Sequence, residues 1–275
     1  MTPSAAIIAA PAKITWSLRV TGFADSGLHE VEAEMFTIDL ADQLVITPGG
    51  SGLTVHGDSA VRLEQIGPAQ ENLVTRAMSL LKEPVGIELT KRIPIGGGLG
   101  GGSADAAAVL RYGNVTDTEG ALQLGSDVPF CLIGGRALVS GTGEKVSQLD
   151  ERDRSLVLLV PPVFLETAAV YRAFDQLLDE GANRDERNDL HPAARLVAPE
   201  LVNWEDVFKE ATGATPVLAG SGSTLFVEGT KESLGLSGVA TLGINGQEAR
   251  LIDVRSVSAQ FGEPMTERST EKGSA

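Results

Sequence analysis

Cysteine is almost absent from this chain. Cys131 stands alone, which excludes an internal disulfide and fits a reducing compartment. With that one Cys and three scattered His, a structural zinc site is not expected. Aromatic residues make up only 4% of the chain. No apolar run reaches the ~18 residues of a membrane-spanning helix, so no membrane partner is expected. The opening residues, MTPSAAIIAAPAKITW, lack the basic start of a secretory signal, and the expected location is cytoplasmic. Basic charge is also short: 22 Lys and Arg stand against 37 Asp and Glu, for a net charge of −15. A nucleic-acid binder carries a basic surface, so nucleic acid is not an expected partner. The same balance gives no long-range attraction for an anionic ligand. A phosphate here must be held by local donors.

What the chain has in excess is glycine, 32 in 275 residues. Residues 96–103 read GGGLGGGS, a string that serves either as a linker or as a loop wrapping phosphate with bare backbone. The flanks decide. Before it, Val85–Ile95 (VGIELTKRIPI) reads as a strand with Val85, Ile87 and Leu89 on one face. After it, Ser103-Ala-Asp-Ala-Ala-Ala-Val-Leu has strong helix propensity, with Ser103 as the expected N-cap. A linker is not fused directly into a capped helix. The order strand, glycines, helix N-terminus presents unpaired N–H groups and the positive end of a dipole to an anion. It is not the common P-loop, because no Lys follows the glycines. Nor does an acidic residue end a strand about 20 positions on, as a dinucleotide site requires.

Along the chain, residues 7–20 and 31–47 read as strands, the second with an expected break near Ala41-Asp42. Asn72 opens a helix with Leu73, Ala77, Leu80 and Leu81 at helical spacing. In the second half, 156–163 reads as a buried strand and 167–179, 192–198 and 200–211 as helices. Strands 216–219 and 224–228 flank a Gly220-Ser-Gly-Ser turn, and 249–257 reads as a last strand. Residues 262–275 show no hydrophobic pattern and are expected to be disordered. Taken alone, Asp127 before Val128-Pro129 reads as a helix cap, Lys13 as a lysine at a strand edge, and Tyr171 as helix packing beside Val170, Phe174 and Leu177.

Together these residues bring a family into view. Pro94-x-Gly-Gly-Gly-Leu-Gly-Gly-Gly-Ser-x-Asp-Ala-Ala resembles the phosphate-loop motif of the GHMP small-molecule kinases. Ala10-Pro-Ala-Lys-Ile resembles the start of their first motif, Leu124-Gly-Ser-Asp-Val-Pro-Phe the segment with their catalytic Asp, and Gly220-Ser-Gly-Ser-Thr-Leu-Phe their third, glycine-rich motif. Asn188-Asp-Leu-His-Pro-Ala-Ala fits their second half. The resemblance runs from about residue 8 to residue 230.

It implies an α+β fold of two domains. Residues 1–153 would form a ribosomal S5 domain 2-like domain with the ATP phosphate loop, and 154–261 a ferredoxin-like domain. It implies ATP and Mg²⁺, with the metal held mostly by phosphate and water, and a small-molecule alcohol as phosphoryl acceptor. Asp127 would accept or orient the hydroxyl proton, and Lys13 would pair with Asp127 and bind the transferring group. Pro94, Gly96, Gly97, Gly98, Gly100, Gly101 and Gly102 would cradle the phosphates. The Ser103 hydroxyl would lie near the phosphates or Mg²⁺, and Asn72 near adenine and ribose. Within the family the chain looks most like the branch that phosphorylates the C2 hydroxyl of 4-diphosphocytidyl-2-C-methyl-D-erythritol, in the non-mevalonate isoprenoid route. There a Tyr-His pair handles the cytosine; here Leu28 replaces the Tyr and His29 is kept. Tyr171 is the other expected platform, and Thr15 stands where Asn is usual near the acceptor hydroxyl. Another alcohol acceptor, or a silent nucleotide-binding regulator, remains open at this point.

Overall fold

The computed structural model describes residues 5–57, 72–181 and 187–264. Strands β1 (Ala6–Phe23) and β2 (His29–Pro48) form a long antiparallel pair. Their alternation buries Ile8, Ala10, Leu18 and Val20 in the main core. The register shifts between Pro11 and Lys13 and again between Thr15 and Ser17. Between those shifts Ala12 and Ile14 enter a second core cluster. Lys13 and Thr15, of opposite parity, line the cleft described below. Bulges of this kind re-aim side chains beside functional sites.

The break expected near Ala41-Asp42 is a change of partner, because β2 does not end there. Its Val31–Phe36 half pairs with β5 (Arg136–Gly141) and its Gln43–Pro48 half with β4 (Val85–Lys91). Alternation fails at Asp42 because this carboxylate is wholly buried and accepts backbone N–H bonds from Arg92 and Ile93, just past β4. With β3 (Leu53–Gly57) and β6 (Lys145–Gln148), the sheet order is β3-β4-β2-β5-β6, and β1 covers the other edge of β2.

Helices α2 (Gly101–Tyr112) and α4 (Val128–Ile133) pack on this sheet, and α1 (Leu73–Met78) and α3 (Thr118–Leu124) pack against those helices. Ala104 to Leu110 of α2 are all buried, and the small alanines let the helix sit close to its neighbours. Helix α2 starts earlier than its capping pattern suggests. Its N-cap is Gly100, in the left-handed region at φ 68°, and Ser103 lies inside the first turn without capping it. The reason is the loop, whose last left-handed glycine sets where helical geometry begins.

The second sheet has the order β10-β11-β7-β9-β8, built from β7 (Ser155–Val160), β8 (Val217–Leu218), β9 (Leu225–Glu228), β10 (Thr241–Ile244) and β11 (Gln247–Arg255). Central β7 is buried on both faces from Leu156 to Leu159, which explains its unbroken apolar run. Helices α5 (Thr167–Asp179), α6 (His191–Val197) and α7 (Glu200–Thr212) accompany this sheet. One core cluster takes in Ile8 and Leu44 from the first sheet and Val157 and Leu159 from the second. After β11 the chain returns to β2, where Val257 N donates to the Thr37 carbonyl at 3.0 Å. Gly262, at the start of the segment expected to be disordered, ends a single 3-10 turn and receives Arg111 Nε at 2.9 Å. The rest of that expectation, from residue 265 on, lies outside the described residues.

Candidate active site

A cleft of about 900 Å³ opens beside the glycine string. Strand β4 delivers the chain to it and α2 carries it away. Gly96, Gly98 and Gly100 have φ values of 73°, 76° and 68°, an alternation that turns successive backbone N–H groups toward one concave side. Two of these positions admit no side chain. A methyl group on Gly98 would fall onto the Ala219 carbonyl oxygen, and one on Gly100 would meet the Lys13 stem at 2.9 Å. The string is therefore packed between β1 and the Gly220–Ser223 turn, with Thr224 N donating to the Gly97 carbonyl at 3.2 Å. A linker has no such contacts. A bare, concave backbone at a helix N-terminus fits a phosphate chain.

At the end of this loop, Lys13 N donates to the Leu99 carbonyl at 3.0 Å. The Lys13 ammonium is buried, donates to Thr15 Oγ1 at 3.0 Å, and lies 3.3 Å from Asp127 Oδ2. Asp127 occupies the N-cap position of α4 but makes no capping bond; its carboxylate faces Lys13 instead. The cap and surface-lysine readings of these residues thus give way to an ion pair inside the cleft. Asn72 does cap α1, accepting from Val74 N at 2.9 Å, and it also lines the cleft.

The Gly220 turn is held from below. Asn188 Nδ2 donates to the Leu218 carbonyl at 2.9 Å and to that of Gly220 at 2.7 Å. At the other end of the cleft, exposed Leu28 precedes His29. The His29 ring lies 4.6 Å from the Tyr171 ring and 4.5 Å from Phe23, centroid to centroid. Its Nε2 is 2.7 Å from Asp175 Oδ1. Burial pushes the Tyr171 hydroxyl up to about 12, with the Asp127 charge adding to the effect, so this phenol keeps its proton.

All the residues singled out from the sequence line this one cleft: Lys13, Thr15, Leu28, His29, Asn72, Pro94, Gly96, Gly97, Gly98, Gly100, Gly101, Gly102, Ser103, Asp127 and Tyr171. Sequence reasoning missed a buried triad beneath the loop. Lys91 Nζ donates to Asp105 Oδ2 at 2.7 Å and to Asp42. Burial by itself would lower the Lys91 ammonium, but the two carboxylates outweigh it and raise it. Burial pushes the Asp105 carboxyl up to about 8, against the pull of Lys91, and its Oδ1 has no hydrogen-bond partner. A signal was present: Lys91 shares the parity of Val85, Ile87 and Leu89, all buried. Asp175 was also missed, although it lies one helical turn after Tyr171. Among the described residues, no three His, Cys, Asp or Glu side chains cluster as a metal site.

The arrangement offers a backbone cradle for phosphate, a buried cation at its end, and a carboxylate within reach of a hydroxyl. Comparison with known proteins agrees with that chemistry. Residues 72–135 match the family described as the GHMP kinases N terminal domain. The chain is 38% identical over 254 residues to the 4-diphosphocytidyl-2-C-methyl-D-erythritol kinase of Pelotomaculum thermopropionicum, covering 79% of this chain and 86% of that protein. It is 33% identical over 251 residues to the protein of the same name from Nitrosomonas eutropha, covering 82% and 88%. A crystal structure of 4-(cytidine 5'-diphospho)-2C-methyl-D-erythritol kinase superposes with a TM-score of 0.68 at 29% identity, over 92% of this chain and 100% of that one. The mevalonate kinase of Methanococcus jannaschii shares the fold, with a TM-score of 0.58.

Proposed function

Because the chain belongs to the 4-diphosphocytidyl-2-C-methyl-D-erythritol kinase family, we propose that it transfers the γ-phosphoryl group of ATP to the C2 hydroxyl of that cytidyl acceptor, in isoprenoid precursor synthesis. The observation that carries the reading is the Lys13–Asp127 pair at the end of the glycine loop. Phosphoryl transfer needs little covalent help from a protein. It needs positioning, charge neutralisation and a destination for the acceptor's proton. Backbone N–H groups of Gly96–Gly102 and the positive end of α2 hold the phosphates. Lys13 opposes the negative charge of the transferring group and keeps Asp127 facing it. Asp127 takes the proton of the acceptor hydroxyl as that oxygen attacks phosphorus. Asn72 lies on the adenosine side. Thr15, Leu28, His29 and Tyr171 face the acceptor, with Tyr171 and His29 at its base.

Magnesium bound with the nucleotide would supply neutralisation of phosphate charge, held mostly by phosphate and water beside Ser103. The donor set suits that arrangement: Ser103 lines the cleft at the loop's end, and the carboxylates beneath the loop already share Lys91. We read the two sheets as the two domains, 1–153 and 154–261. Among the described residues, no helix is long and apolar enough to cross a membrane.

One observation favours a second acceptor of the same class. Leu28, 61% exposed, stands where an aromatic would stack on a base, and a leucine offers only dispersion. The experiment is ADP release with ATP and Mg²⁺, comparing the cytidyl acceptor with homoserine and mevalonate, with product mass as the check. Cytidyl-dependent turnover supports the proposal. Turnover with another alcohol alone keeps the phosphoryl chemistry and discards the acceptor.

A further inference from the structure

The His29 imidazole is gripped by one face of α5. Tyr171 and Asp175 are one turn apart on that helix and so project to the same side. Tyr171 stacks on the ring at 4.6 Å and Asp175 Oδ1 sits 2.7 Å from Nε2. Phe23 at 4.5 Å and Phe174, edge-on at 6.3 Å, complete the enclosure. The ring is 14% exposed while Asp175 is 39% exposed, at the rim of the cleft. An ionised carboxylate only accepts hydrogen bonds, so Nε2 carries the proton. When the imidazole is neutral, Nδ1 then holds a lone pair. No group among the described residues bonds Nδ1, and His29 lines the cleft.

We propose that Asp175 is a positioning residue that fixes the His29 tautomer, so that Nδ1 accepts a hydrogen bond from the exocyclic amine of a cytidyl acceptor and rejects its uridyl counterpart. This inference rests on the acceptor reading given above. Cytosine offers an amino donor at the position where uracil offers a carbonyl acceptor. A lone pair held at Nδ1 satisfies the first and leaves the second facing another acceptor, a buried mismatch that binding energy must absorb. Without Asp175 the ring is free to exchange its proton between the two nitrogens. Nδ1–H would then suit the uridyl compound. Tyr171 and Phe23 would still hold the ring plane, so the change falls on base selection rather than on the fold.

The test measures kcat/KM for the cytidyl acceptor and the matching uridyl compound, in the wild-type protein and in Asp175→Ala and Asp175→Asn. The tautomer of His29 is read independently by ¹⁵N NMR of the ring nitrogens. The wild type should show Nε2–H and prefer the cytidyl compound. Asp175→Ala should mix the tautomers and cut the preference by about tenfold or more, the size of one hydrogen bond lost with its partner left unpaired. The loss should appear in the acceptor KM with the ATP KM unmoved. Should the alanine variant not fold, the isosteric Asp175→Asn carries the same comparison, because its amide can also donate to Nε2 and populate Nδ1–H. A wild-type ring protonated at Nδ1 overturns the proposal. So does an unchanged cytidyl preference in a folded variant, with the acceptor reading still standing. No cytidyl turnover in the wild type overturns both.

Discussion

The Lys13 ammonium sits 3.3 Å from Asp127 Oδ2, although the two residues lie in distant parts of the chain. Their meeting follows from two local facts. The register shift after Pro11 turns Lys13 toward the glycine loop, and the Asp127 side chain leaves the first turn of α4 uncapped. A lysine with only 4% of its surface exposed would be costly without such a partner.

Asp127→Asn keeps the side chain's size and removes its charge and its ability to accept the proton. Turnover should fall by about 10²–10⁴-fold, with nucleotide affinity close to wild type. Steady-state kcat together with calorimetric titration of ATP checks this. A kcat within a few-fold of wild type would remove Asp127 from the chemistry.

Gly98→Ala probes the cradle. The added methyl meets the Ala219 carbonyl, at a φ of 76° that alanine disfavours. Strain of ~1–3 kcal/mol is expected, seen as a lower melting temperature. Because the loop must shift to relieve it, ATP affinity should fall as well. Both are read by thermal denaturation with and without nucleotide.

The aromatic end of the cleft is tested by Tyr171→Ala and Leu28→Tyr. Removing the Tyr171 ring should raise the KM for the cytidyl acceptor by about 2–12-fold, the worth of one aromatic pair, and leave the KM for ATP in place. Adding a ring at Leu28 should lower the acceptor KM by a similar factor. Since the Tyr171 hydroxyl titrates only near 12, Tyr171→Phe should leave the neutral-to-alkaline limb of the pH–rate profile where it was.

Asp105 makes stability depend on pH. Burial raises its carboxyl from 3.8 to about 8 in the fold. Between those values the folded chain binds the proton more tightly than the unfolded one, so stability falls as pH rises. This contribution is complete below about pH 4 and is gone above about pH 8. Asp105→Asn keeps a neutral side chain at all pH values. Urea denaturation across this range should show wild type losing stability relative to the variant as pH increases.

Much of the fold was legible because local physics repeats. Helices α5, α6 and α7 lie within a residue or so of their predicted spans, since helical spacing and prolines mark them. The short elements were harder. Helix α4, six residues beginning Val-Pro, and β10, four half-exposed residues, carry too little periodicity to stand out from loops. Strand β4 was expected to reach Ile95 but stops at Lys91, because the Asp42 carboxylate takes the next two N–H groups that a sheet partner would have used.

The order strand, glycines, helix was set by sequence alone, because propensity and glycine's missing Cβ act over a few neighbouring residues. The motifs carrying Lys13, Asp127 and the Gly220 turn could be named by the same means. What tertiary structure decided is where those motifs meet and what else joins them. The buried triad of Lys91, Asp42 and Asp105, the grip of Asp175 on His29, and the closeness of Gly98 to Ala219 each depend on elements distant in the chain. Charge pairing in a dry interior and steric exclusion are properties of three-dimensional neighbours, and only the packed chain brings those neighbours together.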